Sequence, residues 1–182
     1  MKKAWTIRFA LALVFAAVLD LLSTYLVAPD LSLEGNPFFV MLGRKWVYLI
    51  TFKAVFSFFA VLAFAKSLEI LQDRSARLIG LTGFFNVLSC LIFKRQLSLR
   101  EFLLHRFPKD WPPLFAIAAI TVGIAIVTGG ITAAISNTFK IIQSQSQLIV
   151  YFLGNAILTI GIALWLIYQF LMNQTEKSRT RR

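Results

Sequence analysis

The stretch Leu19-Asp20-Leu21-Leu22-Ser23-Thr24 places an aspartate inside the first apolar run of the chain, residues 9–27. A lysine, Lys53, lies inside the next apolar run, residues 46–65. A charged side chain at the centre of a bilayer costs about 2.5–3.5 kcal/mol on insertion scales. Such residues need a partner, a path to water or a function. The sequence therefore predicts a membrane protein with a polar centre.

The composition supports this interpretation. The chain has 182 residues, 58% of them hydrophobic, whereas soluble domains are roughly 45–50% apolar. Its mean hydropathy is +0.75. The net charge is +11, from 19 Lys and Arg against 8 Asp and Glu. Because the basic residues flank the apolar runs, they indicate a bilayer with anionic lipids as the partner and not a nucleic acid.

We expect an all-α integral membrane protein that forms one helical domain, residues 1–182. The third apolar run, residues 78–93, has no charged residue. As a helix it would extend only about 24 Å, which is short of the ~30 Å hydrocarbon core. Either four or five of the five hydrophobic helices therefore cross. The predicted elements are hydrophobic helices at 9–27, 46–65, 78–93, 114–135 and 148–172, an interfacial amphipathic helix at 94–109 and a basic tail at 173–182.

The distribution of basic residues bears on the number of crossings. Four crossings place 15 basic residues inside and 3 outside, with both termini inside and Lys53 not counted. Five crossings with the amino terminus inside give 7 inside and 11 outside. The positive-inside rule favours four, and the side of the carboxyl terminus stays open. We expect a multi-pass protein of a bacterial or archaeal cytoplasmic membrane with a cytoplasmic amino terminus.

The depths of the two charges can be compared. Asp20 lies seven residues before Val27, and Lys53 lies seven residues after Trp46. At 1.5 Å per residue both lie roughly 10 Å below the same membrane face. Antiparallel neighbouring helices would bring them together, and we predict an Asp20–Lys53 ion pair. Two alternatives stay open, a lysine that reaches the interface along its stem and a protonated aspartate.

Three more residues complete the predicted binding site. Thr24 lies one turn after Asp20 on the same helix face. Asn36 precedes a proline and is typical of a helix N-cap, and Glu34 lies where the positive end of that helix dipole favours a carboxylate. Glu34 and Asn36 could equally be no more than this cap.

Small residues recur at intervals of four in two of the apolar runs, which favours close packing of helices in lipid. We expect the first stripe to face the interior of the bundle and the second to contact another helix, in this chain or in a second copy. The stripes are Ala12, Ala16, Asp20 and Thr24, and Thr121, Ala125, Gly129 and Ala133.

The polar residues form a pattern of Asp20-x3-Thr24, then Glu34-x-Asn36-Pro37, then Lys53. This pattern resembles a family of small bacterial and archaeal multi-span membrane proteins that is known only as an uncharacterised domain. The resemblance covers about residues 9–93 and implies a short helical membrane module, without an established activity.

Three functions are compatible with these residues. The first is a non-enzymatic assembly or interaction module organised by the Asp–Lys pair, with a second copy or another membrane protein as partner. The second is a proton- or cation-linked transporter or small-solute binder that uses Asp20 and Glu34. The third is a lipid-modifying enzyme. The chain has one cysteine, one histidine and no H-E-x-x-H or G-x-S-x-G motif, so we expect no catalytic residue, metal site or cofactor.

Overall fold

The computed structural model describes residues 2–31, 41–78, 80–81, 83–98, 100–101, 108, 110–139 and 145–179. All regular secondary structure within these residues is helical. Four of the five helices are 26 to 35 residues long, and the other has 10. The helices are α1 (Lys2–Val27), α2 (Trp46–Arg74), α3 (Phe84–Phe93), α4 (Trp111–Phe139) and α5 (Gln145–Arg179), with a short 3-10 helix at Ser75–Leu78 after α2.

The four long helices, α1, α2, α4 and α5, are long and apolar enough to cross a membrane. Each contains one of the predicted apolar runs but extends beyond it, because the polar residues that flank the run continue the helix. One of these extensions is at the carboxyl end of the chain. There α5 continues to Arg179, so the predicted basic tail is helical from residue 173 to residue 179.

Helices α1 and α2 pack side by side in opposite directions. The ring of Phe9, near the start of α1, stacks on the ring of Phe64 in the second half of α2, with centroids 4.0 Å apart. Near the other end of the pair, Tyr25 of α1 meets Trp46, the first residue of α2. The antiparallel arrangement on which the predicted ion pair depends is therefore present.

Helices α1 and α4 run in the same direction and contact each other at intervals of seven residues. A Cβ atom added at Gly123 would lie 2.9 Å from the Phe9 ring, and one added at Gly130 would lie 3.1 Å from the carbonyl oxygen of Ala16. A hydrogen bond joins Asn137 to Ser23, 114 positions apart. The contact pairs, all with this same separation, are Phe9–Gly123, Ala16–Gly130 and Ser23–Asn137.

Helix α4 lies at the centre of the bundle, in contact with α1, α2 and α5. One third of its most apolar window is buried, against 11–17% for the other long helices. The close approach to α1 uses Gly123 and Gly130. Gly129, from the predicted stripe of residues 121, 125, 129 and 133, faces Asn155 of α5 instead. At Gly130 the backbone of Ala16 approaches α4 closely because glycine leaves no side chain between the helices, and at Gly123 the Phe9 ring occupies that space.

The segment between α2 and α4 differs from the prediction. The apolar run at 78–93 becomes helical only at Phe84, because Gly80 and Gly83 both adopt φ of +86°, a conformation that glycine tolerates but a helix does not. Helix α3 is therefore about 15 Å long. Lys94, at φ +60°, ends it. The predicted amphipathic helix at 94–109 is not helical at 94–98, and most of its remainder lies outside the described residues.

An ion pair joins the two ends of this segment. The Arg74 guanidinium at the end of α2 donates to the Asp110 carboxylate just before α4, at 3.0 and 3.3 Å. The Asp110 amide in turn donates to the Ile92 carbonyl in α3. The chain thus leaves α2 and enters α4 at the same end of the bundle. Trp5 of α1 meets Phe170 of α5 at that end, so α1 starts and α5 ends there.

The contact at Gly130 yields a prediction for stability. Gly130→Ala should destabilise the protein by about 1–3 kcal/mol, since the new methyl group meets the Ala16 backbone and the packed helices must separate. Thermal unfolding in mild detergent measures the change. Gly161→Ala is the matched control in α5, where an added Cβ has no atom within 4 Å. It should leave the melting temperature unchanged or raise it. Equal losses for both variants would contradict the close packing of α1 on α4.

Candidate functional site

The centre of the site is an ion pair between α1 and α2. The Lys53 Nζ atom donates a hydrogen bond to Oδ2 of Asp20. The Asp20 side chain is 15% exposed and the Lys53 side chain is 27% exposed, so most of both lies within the protein. The predicted pairing is confirmed. The two side chains lie at the same level because each is seven residues from the adjacent ends of the two helices, Val27 and Trp46, and the rise per residue is constant.

Two hydroxyl groups of α1 contact the backbone carbonyl of Asp20. Ser23 Oγ and Thr24 Oγ1 each donate to the Asp20 carbonyl oxygen, at 2.9 and 2.8 Å. This is the usual way for Ser and Thr in a helix to satisfy their donors without a partner helix. Thr24, predicted as a site residue, therefore lies beside the ion pair but binds the backbone of Asp20 and not its carboxylate.

Asn137 of α4 joins this polar cluster. Its Nδ2 atom lies 3.2 Å from Ser23 Oγ and 3.4 Å from Thr24 Oγ1, and donates to both. Sequence reasoning missed this residue because it placed the end of the helix at residue 135, two positions before Asn137. The interval of seven from Gly123 to Gly130 to Asn137 was the signal that could have found it.

A cavity of about 230 Å³ adjoins the ion pair between α1, α2 and α4. Asp20, Lys53 and Ser57 are its polar residues, and the remainder of its wall is apolar. Gly129 and Gly130 line it on the α4 side. Lys53 and Ser57 also line a larger, almost wholly apolar groove of about 430 Å³ between α1 and α2. Both charges of the pair can therefore be reached by a small molecule.

A second polar contact joins α4 to α5. The hydroxyl groups of Thr128 and Thr159 share a hydrogen bond of 2.7 Å, and both residues are buried. One or two turns away on α5, the buried Tyr151 Oη and Asn155 Oδ1 atoms have no hydrogen-bond partner among the residues that the structure describes. Asn155 faces α4 at Gly129, where an added Cβ atom would lie 3.9 Å from its Nδ2 atom.

The other predicted site residues, Glu34 and Asn36, lie outside the described residues. Asp20, Thr24 and Lys53 are brought together, and Asn137 is added to them. Within the described part of the chain, no three His, Cys, Asp or Glu side chains form a group that could hold a metal ion.

Comparison of the chain with family models, curated proteins and solved structures found no match. The resemblance drawn from residues 9–93 stays a prediction.

A double-mutant cycle tests the ion pair. Asp20→Asn and Lys53→Met should each lower the stability in detergent by about 1–3 kcal/mol, because each leaves one largely buried charge without its partner. The double variant should lose less than the sum of the two single losses. Urea or thermal unfolding of the purified proteins measures the coupling.

Lys66→Met is the control, since the Lys66 side chain is 67% exposed in its ion pair with Glu69. It should change the stability by no more than about 0.5 kcal/mol. A double variant whose loss equals the sum of the single losses would show that Asp20 and Lys53 do not act as a pair.

Proposed function

We propose that the protein is a four-span integral membrane protein with both termini at the cytoplasmic face. Four long apolar helices support this, and so does the Arg74–Asp110 pair, which returns the chain to the end of the bundle that it left. The 15 basic residues in the segments attached to this end contrast with 3 in those attached to the other. This asymmetry follows the positive-inside rule. Helix α3, at about 15 Å, is too short to add a fifth crossing.

The function that the geometry supports best is that of a non-enzymatic membrane module for assembly or interaction. The observation that carries this proposal is the Asp20–Lys53 pair, in which each charge is satisfied inside the chain. Such a pair favours one alignment of α1 and α2 over others, because every shifted alignment would leave two charges unpaired in an apolar environment. By fixing this alignment, the ion pair gives α1 and α2 a common outer surface of constant shape that a partner can bind.

The outer surface of the bundle suits this role. Leu11 and Phe15 of α1 and Val150 and Ile157 of α5 are all more than half exposed. In a bilayer these side chains meet lipid or the helices of a partner. A second copy of the chain or another membrane protein is therefore the expected partner, and anionic lipid the expected surroundings.

The orientation can be tested with single cysteines in a Cys90→Ser background. Lys3→Cys and Glu176→Cys should resist a membrane-impermeant maleimide in intact cells and react after permeabilisation, whereas Arg44→Cys should react in both. Mass-tag gel shifts measure the labelling. A different response at positions 3 and 176 would rule out an even number of crossings.

The assembly role predicts that the protein is recovered from native membranes as a homo-oligomer or with a stoichiometric partner. Chemical crosslinking in membranes, followed by size-exclusion chromatography with light scattering in mild detergent, measures this. Gly130→Ala should weaken the complex because it disturbs the packing of α1, while Gly161→Ala should weaken it only where α5 forms the interface. A monomer without a partner, both in membranes and in detergent, would contradict the assembly role.

A second candidate function is the binding or transport of a small solute or proton. The cavity of about 230 Å³ that reaches both Asp20 and Lys53 favours it, because ionisable groups beside an accessible space within an apolar bundle commonly mark a transport path. In proteoliposomes with an internal pH dye, an imposed gradient would then drive a proton flux. Asp20→Asn would abolish the flux, and Glu69→Gln, at the end of the bundle where the chain termini lie, would retain it. Absence of flux from the folded wild-type protein would exclude a proton path.

A further inference from the structure

A second cavity, of about 290 Å³, lies near the end of the bundle that carries the chain termini. It shares no lining residue with the cavity at the ion pair. Helices α1 and α5 form its sides and α4 forms its floor, with Phe64 of α2 also in the wall. Its lining includes Trp5, Arg8, Ala12, Ile124, Val127 and Trp165.

The cavity exists because α1 and α5 are held apart by α4. Near the chain termini the two helices meet, where the Trp5 ring packs edge-on against Phe170 with centroids 5.9 Å apart. One to two turns further along α1, Ala12 contributes only a methyl group, and the exposed Ala12 leaves a gap that Ile124 and Val127 of α4 line from below. The result is an apolar crevice open along the side of the bundle.

The mouth of the crevice carries a positive charge. Arg8 is exposed and makes no ion pair or hydrogen bond with the residues that the structure describes. Two other basic residues at this end are paired, Lys2 with Glu69 at 3.6 Å and Arg74 with Asp110. Arg8 lies six residues, or about 9 Å, from the start of α1. In the proposed orientation this is the boundary between the headgroups and the hydrocarbon core.

Two tryptophans flank Arg8. Trp5 lies one turn before it, and Trp165 of α5, which is 59% exposed, forms the opposite rim. Tryptophan is enriched at membrane interfaces, where its ring meets both acyl chains and headgroups. A guanidinium group binds phosphate through two parallel hydrogen bonds, and basic pockets between membrane helices on the cytoplasmic side recognise anionic headgroups.

We propose that this crevice is a binding site for an anionic phospholipid of the inner leaflet. The lipid phosphate binds the Arg8 guanidinium between the two tryptophans, and one acyl chain follows the crevice over Ala12, Ile124 and Val127. The proposal rests on the membrane placement given above, but not on either role suggested for the Asp20–Lys53 pair.

Native mass spectrometry of the detergent-solubilised chain tests the site. The probes are phosphatidylglycerol and phosphatidylcholine with identical acyl chains, added in equal amounts. The wild-type protein should retain phosphatidylglycerol in preference. Arg8→Gln should reduce its retention about tenfold, the factor for loss of one charge-assisted hydrogen bond. The retention of phosphatidylcholine should fall less, because its choline ammonium already offsets the charge of the phosphate.

Lys3→Gln is the matched control, because it removes the same charge from an exposed residue on the same helix and should keep the preference. Ala12→Phe should reduce the retention of phosphatidylglycerol with Arg8 intact, because it fills the crevice. Equal losses for Arg8→Gln and Lys3→Gln, or no lipid preference in the wild type, would overturn the proposal. If Ala12→Phe does not fold, the comparison of Arg8 with Lys3 still decides. The cysteine labelling tests membrane placement separately.

Discussion

The Asp20 carboxylate and the Lys53 ammonium can share an apolar environment only when α1 and α2 lie side by side, antiparallel and in one register. Either charge alone would need water, which an apolar bundle supplies poorly. The pair therefore couples two helices whose other surfaces are almost uniformly apolar and would otherwise permit several alignments. The stacked rings of Phe9 and Phe64 are compatible with that same register.

Helix α1 has a second constraint from α4. The face that carries Phe9, Ala16 and Ser23 packs on α4, while Asp20 reaches towards α2. Gly130, which permits this packing, also lines the cavity next to the ion pair. The close packing of α1 on α4 and the cavity between α1, α2 and α4 thus share Gly130, and a larger side chain at this position would affect both.

Some features of the fold and of the site could be predicted from the sequence, and others depend on properties that hydropathy does not indicate. The helices and the ion pair were predictable because hydropathy marks long apolar runs and the helical rise fixes depth. The end of α4 was not predictable from hydropathy, because the helix continues past its apolar run. Asn137 lies in that continuation and was therefore missed. The interruption at Gly80 and Gly83 depends on backbone angles that the hydropathy of residues 78–93 does not indicate. The contact of Arg74 with Asp110 arises from the path of the chain between them, for which no periodicity exists.

The spacing of the contacts between α1 and α4 has a geometric consequence. An ideal α-helix has 3.6 residues per turn, so positions seven apart rotate by about 20° relative to a straight seam. The contact pairs at Phe9, Ala16 and Ser23 extend over two such intervals without losing register. Two straight rods would have turned away from each other by roughly 40° over that length. A contact repeat of seven residues is the pattern of a left-handed supercoil, and the seam between α1 and α4 follows this pattern over its three contacts.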